Sequence, residues 1–263
     1  MNILEFQKKK SLHEKITMVT CYDYSSARIL GESAVDAILV GDSAAMTMHG
    51  YDDTISATLA MLTLHTKAVA KGAPEKFIVA DLPFLTYRKS LNKTMQAAEE
   101  LMQAGAQALK LEGAIGNLKM IRHLVESGIP IMGHLGLTLQ QMHVLGGFKV
   151  QGKTEESAQR IKNEALLLEE AGCFSLVLEC IPAYLAEEIT QSLRIPTIGI
   201  GAGNGTDGQI LVWQDLLGLN IDFKPKFVKS FVNGFQVVKS GIDSYVDEVK
   251  SGGFPSDENC YGN

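Results

Sequence analysis

The sequence predicts a closed (β/α)8 barrel on three observations. Short apolar runs alternate with amphipathic helical stretches from end to end of the chain. Several helical stretches leave on Gly and soon re-enter an apolar run, as in Ala70-Lys71-Gly72, Gln103-Ala104-Gly105, Glu126-Ser127-Gly128 and Glu170-Ala171-Gly172. The repeat is roughly 30 residues, so eight units fill about 240 and leave a C-terminal remainder.

Taken in order, the strands are predicted at Ile16 to Cys21, Ala37 to Gly41, Phe77 to Ala80, Ala108 to Leu111, Pro130 to Gly133, Ser175 to Leu178, Pro196 to Gly199 and Gln209 to Trp213. Each is short, apolar and bounded by turn residues. Helices are predicted at Ala57 to Lys71, Thr94 to Ala104, Asn117 to Ser127, Glu155 to Ala171 and Ala183 to Leu193, with a long C-terminal helix from Phe227 to Lys250. An open doubly wound sheet is the alternative, but eight parallel strands without an antiparallel edge are unusual for one. No stretch rich in Pro, Ser or charge divides the chain, so a single domain over 1–263 is expected.

Composition narrows the function classes. With 46% hydrophobic and 21% charged residues, the chain has ample material for a core. A formal net charge of −6 offers no basic surface for phosphate backbones, so nucleic acid is not an expected partner. Lys8-Lys9-Lys10 reads as a solvated run. No stretch approaches 18 uninterrupted apolar residues, and the N-terminal segment has Glu5 where a secretory leader carries base, so no membrane role and a cytoplasmic location are expected. Cys21, Cys173, Cys180 and Cys260 lack CxxC or finger spacing and read as reduced thiols, with Cys260 exposed in the polar tail.

Four apolar runs end on a carboxylate: Ile38-Leu39-Val40-Gly41-Asp42, Ile78-Val79-Ala80-Asp81, Leu109-Lys110-Leu111-Glu112 and Leu176-Val177-Leu178-Glu179. An acid at the carboxyl end of a buried strand lies where parallel α/β folds place their chemistry. Four acids converging there cannot all ionise without a cation or a shared proton. A divalent metal on oxygen ligands, with one carboxylate free to move protons, is therefore expected. Lys110 and Glu112 are two apart and share a face, inside a barrel, while Leu109 and Leu111 face the helices. A strand-end Asp is often only the cap of the next helix. Asp81 is followed by the extended Leu82-Pro83-Phe84, which argues against a cap there, whereas at Asp42-Ser43 either residue could cap. Neither Asp42 nor Asp81 has a cationic neighbour in sequence.

Glu179 lies among uncharged neighbours, so desolvation is expected to raise its pKa and suit it to general-base work. The bland alternative is a first-turn acid of the helix after Pro182. His134, in Gly133-His134-Leu135-Gly136, also ends a strand, either as a hydrogen-bonded core residue or as an auxiliary catalytic group. His49, His65, His123 and His143 show no zinc-ligand spacing. Gly203-Asn204-Gly205-Thr206-Asp207-Gly208 matches GxGxxG in form, but a strand follows it rather than a helix, so close backbone packing or room for a flat ligand is the plainer reading.

In order, Val40-Gly41-Asp42-Ser43, His65-Thr66-Lys67-Ala68-Val69, Asp81-Leu82-Pro83-Phe84, Lys110-Leu111-Glu112-Gly113, Gly133-His134-Leu135-Gly136-Leu137-Thr138, Leu178-Glu179, and Gly199-Ile200-Gly201-Ala202-Gly203 with Asp207-Gly208-Gln209 closely resemble the ketopantoate hydroxymethyltransferase family. The likeness runs from about Thr17 to Lys229. It implies a (β/α)8 enzyme of pantothenate biosynthesis that moves a one-carbon unit from 5,10-methylenetetrahydrofolate to 3-methyl-2-oxobutanoate. It further implies Mg²⁺ on Asp42 and Asp81 with Glu112 supporting the metal shell, Ser43 and Lys110 (with the metal acids) holding the keto acid, Glu179 as base, and a cytoplasmic homo-oligomer, typically a decamer. The chain departs from the family at Leu139, where Pro is usual and whose loss loosens a loop near the mouth, at Ile55-Ser56-Ala57 and at Ser230-Phe231. None of these removes a proposed catalytic group.

The residues agree with that chemistry, since the carboxylate and keto oxygens of a 2-oxo acid together chelate a hard cation. A Mg²⁺-dependent carbon–carbon lyase or mutase similar to the isocitrate lyase and phosphoenolpyruvate mutase group is the nearest alternative. Cys180, directly after Glu179 rather than on a loop, counts against it. A non-catalytic barrel that binds a keto acid is the alternative from another class. The apolar spacing Phe227, Phe231, Phe235, Val238 independently suggests a buried contact between subunits, although docking on its own subunit fits the spacing equally.

Overall fold

A computed structural model of the chain describes residues 1–147, 149–221 and 225–262, with the backbone alone at Leu145. Eight strands close into a parallel barrel in sequential order. They are β1 Ile16–Thr20, β2 Ala37–Val40, β3 Phe77–Asp81, β4 Ala108–Glu112, β5 Ile131–Gly136, β6 Ser175–Glu179, β7 Thr197–Ile200 and β8 Gly208–Leu211. The helices are α1 Ile3–Ser11, α2 Tyr24–Glu32, α3 Ala44–His49, α4 Leu59–Gly72, α5 Leu91–Gln103, α6 Leu118–Glu126, α7 Met142–Leu145, α8 Glu155–Glu170, α9 Ala183–Ser192, α10 Trp213–Leu216 and α11 Gly234–Ser251. Contacts divide the chain into two compact units, Met1–Val212 and Trp213–Asn263.

The first unit holds the whole barrel. Its interior at the amino-terminal end is a dry cluster in which alternate strand residues, among them Ile16, Met18, Leu39, Val79, Met132, Val177 and Ile198, point inward. Phe6 of α1 fills the floor of the barrel, its ring 5.5 Å from that of Phe77 and 5.4 Å from that of Phe174. Helix α1 is fixed there by its Asn2 cap and by two of the lysines expected to be solvated. Lys9 pairs with Asp36 at 2.9 Å and Lys10 with Asp207 at 2.7 Å, so the run is a clamp rather than a free patch. Phe6→Ala should cost about 3 to 5 kcal/mol, the usual penalty for emptying a buried aromatic site. Equilibrium urea unfolding checks this, and a loss below about 1 kcal/mol would show that α1 is dispensable to the floor.

Three expectations for the elements need correction. Helices α1, α2 and α3 were not predicted, because each is six to nine residues long and buries two side chains at most, too few for a periodic signal. The βα rhythm fails after β7, where residues 201–207 pass to β8 without a helix. There a Cβ at Gly203 would lie 2.5 Å from Ala183 Cβ and one at Gly205 would lie 2.8 Å from Glu187 Cβ, so the glycine-rich segment packs closely along α9. Close packing, the plainer reading of that run, is what the structure has. Strand β8 ends at Leu211, and Trp213 instead opens α10.

In the second unit the long helix begins at Gly234 and not at Phe227, with Asn233 as its cap and Gly252 in the left-handed conformation after its last turn. Phe227 and Phe231 therefore precede α11 and do not lie on its face. Among the described residues, no helix is long and apolar enough to cross a membrane.

Candidate active site

Strand register builds the site at the carboxyl ends of β2 to β6. In the parallel ladder Asp81 pairs with Lys110 and Glu112 with His134, so inward-facing polar residues of adjacent strands meet side by side. Asp42, Asp81, Lys110, Glu112 and His134 are all buried, while the side chain of Glu179 retains 15% exposure. Neither Asp42 nor Asp81 caps a helix: the side chain of Ser90 caps α5, and α3, which follows Ser43, has no side-chain cap.

The two aspartates are joined, since Asp42 N donates to Asp81 Oδ2 at 3.0 Å. Contrary to the absence of a cationic neighbour in sequence, Asp81 has one in space, with Lys110 Nζ 2.9 Å from its Oδ1. The approach is an ion pair rather than an aligned hydrogen bond, and among the described residues this buried oxygen receives no hydrogen bond. Burial, then the charges of Asp81 and Glu112, push the Asp42 carboxyl well above the ordinary carboxylate range, and Lys110 and Gln140 offset only part of this. Lys110 stays protonated, because its carboxylate neighbours, Asp81 first, outweigh the cost of burying its charge.

His134 stands between Glu112 and Glu179. Its Nδ1 lies 3.3 Å from Glu112 Oε1 and its Nε2 lies 3.2 Å from Glu179 Oε2. The same Nδ1 is also 3.3 Å from Lys110 Nζ. Burial and Lys110 both oppose a charged ring here, yet the two carboxylates outweigh them and push the His134 pKa from 6.5 to about 9. Burial would raise the Glu112 pKa, but His134, Lys110 and the Gln140 N–H together hold it below the ordinary range. The apolar surroundings expected for Glu179 are therefore broken on one side by an imidazolium. Glu179 is fixed by its backbone as well. Leu137 N donates to its carbonyl at 2.9 Å, and a Cβ on Gly136, whose φ is +98°, would fall 2.0 Å from that oxygen. Cys180 beside it adopts φ 48°, strained for a residue with a side chain. Burial pushes its thiol up to about 12, which makes it a poor nucleophile.

Sequence reasoning missed Gln140. Its Nε2 donates to Asp42 Oδ2 at 2.8 Å and to Leu82 O at 3.1 Å, its backbone N donates to Glu112 Oε2 at 3.0 Å, and its Oε1 accepts from Tyr87 OH at 2.7 Å. One buried residue, through its side-chain amide and its backbone N–H, thus holds the loop after β5 against two of the four acids, and Leu139 sits in a loop anchored by its neighbour. Tyr22 was also missed. Its hydroxyl lies 2.8 Å from Ser43 Oγ, and burial pushes its pKa up to about 12, so it stays a neutral hydrogen-bond partner. His49 and His65, unremarkable in spacing, bring their Nε2 atoms to 2.9 Å, but among the described residues no three His, Cys, Asp or Glu side chains form a ready metal cluster.

Two carboxylates from adjacent strand ends suit Mg²⁺, which prefers one or two protein carboxylates and keeps several waters or substrate oxygens. The raised Asp42 carboxyl beside Asp81 fits such a cation, because positive charge placed there would offset the burial and the neighbouring carboxylates that push it up. Glu112 has both oxygens engaged by His134 and Gln140, which fits support of that shell through a water more readily than direct ligation.

The sequence profile of the ketopantoate hydroxymethyltransferase family matches residues 1–257. A 3-methyl-2-oxobutanoate hydroxymethyltransferase of Francisella tularensis subsp. holarctica is 56% identical over 260 residues, 99% of this chain and 98% of the relative. The enzyme of the same name from Coxiella burnetii is 56% identical over 263 residues, 99% of each chain. Among solved structures, 2,3-dimethylmalate lyase, a PEP mutase/isocitrate lyase superfamily member, superposes with a TM-score of 0.59 at 15% identity, over 99% of this chain and 91% of that one. A phosphonopyruvate hydrolase in complex with oxalate and Mg⁺⁺ gives 0.63 at 10% identity, over 98% and 93%. At such identities the solved structures establish the barrel alone. The family match and the relatives, spanning nearly the whole chain, go further: the protein belongs to the ketopantoate hydroxymethyltransferase family and is a hydroxymethyltransferase.

Proposed function

We propose that the chain transfers the one-carbon unit of 5,10-methylenetetrahydrofolate to 3-methyl-2-oxobutanoate, giving 2-dehydropantoate for pantothenate biosynthesis, with Mg²⁺ held by Asp42 and Asp81. The observation that carries this reading is the chain Glu112–His134–Glu179 beside the Asp42–Asp81 pair. It places a partly exposed base next to a buried site for a chelating anion. Bound there, the cation supplies positive charge for the keto and carboxylate oxygens as the enolate forms.

The chain's own groups do the rest. Lys110 is a permanent buried cation, and its close carboxylate is Asp81, not Glu112, so its charge also faces the keto acid and its developing oxyanion. Ser43 Oγ, set by Tyr22, orients the substrate carboxylate. Glu179 takes the C3 proton. The imidazolium of His134 fixes the orientation of that carboxylate, with Glu112 holding the opposite ring nitrogen, so His134 is a positioning residue and not a second base. Water adds to the methylene carbon of the co-substrate and both of its C–N bonds break, so that tetrahydrofolate leaves with the water's protons on its nitrogens. The C3 carbanion equivalent then attacks the formaldehyde carbon so released, and the new alkoxide takes up a proton to become the hydroxyl. Burial of Asp42, Asp81 and Lys110 excludes bulk water from the charged groups, which strengthens their field. Production of 2-dehydropantoate from labelled keto acid and methylene-folate tests this reading, and turnover of the keto acid by carbon–carbon cleavage instead would overturn it.

Four free thiols, two of them buried, suit a reducing cytoplasm. The exposed apolar face of α11 supports a homo-oligomer. Val238, Ile242, Tyr245 and Val249 recur at four, three and four residues and are 55%, 57%, 57% and 45% exposed, an apolar seam of the kind that pairs helices. The decamer is the size that the resemblance implies. Light scattering should show a stable oligomer at micromolar concentration that Ile242→Glu weakens, and a wild-type monomer would reject this.

A further inference from the structure

A cavity of about 380 Å³ opens beside Tyr87, lined by Arg88, Leu91, Lys119, Met120 and His123 among others. We propose that it binds the glutamyl tail of the folate co-substrate through the carboxylates of that tail, which rests on the folate reading above. The lining has no Asp or Glu, although acids outnumber bases in the chain by 30 to 24. Among the described residues, Arg88, Lys119 and His123 take part in no ion pair. Arg88 is oriented instead by neutral contacts, its Nη2 donating to Ile115 O at 3.3 Å and its guanidinium carbon lying 5.8 Å from the Tyr87 ring centre. A planar fork held by neutral groups is ready for a carboxylate.

Position favours the co-substrate over an unrelated anion. Tyr87 and Arg88 follow β3 and Lys119 lies in the first turn of α6 after β4, at the same barrel end as Asp81 and Glu112. The Tyr87 ring lines the cavity while its hydroxyl bonds Gln140, which holds Asp42. Tyr87 and Gln140 together therefore connect the cavity to the acids of the site. The volume is near the lower end for small-molecule pockets, room for a tail segment and not for a whole folate. Leu91 and Met120 suit the methylene groups between the tail carboxylates, and the exposed Arg88 and Lys119 suit a ligand that stays hydrated.

Calorimetry with free tetra-γ-glutamate in low-salt buffer tests the cavity directly. Wild type should bind, added salt should weaken the binding, and Arg88→Gln with Lys119→Gln should weaken it by about two- to fivefold per cation removed. No binding to wild type, or equal binding to the double variant, would overturn the proposal. In the transfer reaction, the KM for methylene-folate should be lower with a tetraglutamyl than with a monoglutamyl tail, and the variant should lose that difference while kcat holds. A KM blind to tail length would assign the cavity to a free polycarboxylate and overturn the tail assignment. Deuterium exchange at C3 of the keto acid, which needs no folate, reports separately on the transferase reading. Its absence in wild type would count against that reading while calorimetry still decides the cavity.

Discussion

Glu179→Gln should lower the rate of C3 proton exchange in 3-methyl-2-oxobutanoate by about 10² to 10⁴, the range typical of a lost general base. The amide is nearly isosteric, and the backbone around it is fixed by Leu137 N and by Gly136, so the strand end should not move. What changes is charge. An amide cannot accept the proton, and it withdraws one of the two carboxylates that raise the His134 pKa. Keto-acid binding, measured by calorimetry with Mg²⁺ present, should remain near the wild-type value, because Asp42, Asp81, Ser43 and Lys110 are untouched. Wild-type exchange together with normal binding would show that Glu179 is structural. Partial exchange would identify a second base and return His134 from positioning to proton transfer.

Asp81→Asn should abolish metal-dependent turnover, and it tests more than ligation. Asp81 is at once the partner of Lys110 and the acceptor for Asp42 N. Removing its charge leaves a buried ammonium without its nearest counter-ion, a change that costs about 3 to 5 kcal/mol where nothing compensates. Here Asp42 can compensate. Burial and the charges of Asp81 and Glu112 push its carboxyl well above the ordinary range, so losing one of those charges favours its ionisation beside Lys110. The variant should therefore fold, with a loss of stability well short of that range, and fail to bind Mg²⁺. Unchanged metal affinity by calorimetry would sink the assignment of Asp81.

The barrel was legible because its signals are local. Apolar runs of four to six residues, glycine exits and long amphipathic helices such as Glu155–Glu170 each declare themselves within one window of sequence. The strand-end acids were legible for the same reason, since Asp42, Asp81, Glu112 and Glu179 all follow apolar runs. Their partners were not, because partners depend on register. Nothing in sequence says that Lys110 lies beside Asp81 rather than pairing with Glu112 on its own strand, or that His134 reaches Glu112 on one side and Glu179 on the other. Gln140 lies 98 residues from the Asp42 it binds, in a loop that turns back over the barrel mouth, and only its polarity in Leu137-Thr138-Leu139-Gln140 hints at a role. The seventh unit lacks a helix for a physical reason: the glycines of residues 201–207 pack so closely on α9 that a short backbone segment joins two parallel strands.

The fate of the C3 hydrogen of 3-methyl-2-oxobutanoate in deuterated water, followed by proton NMR with Mg²⁺ and enzyme but no folate, decides whether this site is built to make an enolate. Wild type should wash out that hydrogen at a rate that depends on Mg²⁺ and falls by about 10² or more in Glu179→Gln. Retention of the hydrogen by an enzyme that binds the keto acid and forms product once folate is added would contradict proton removal ahead of condensation, and with it the role assigned to Glu179.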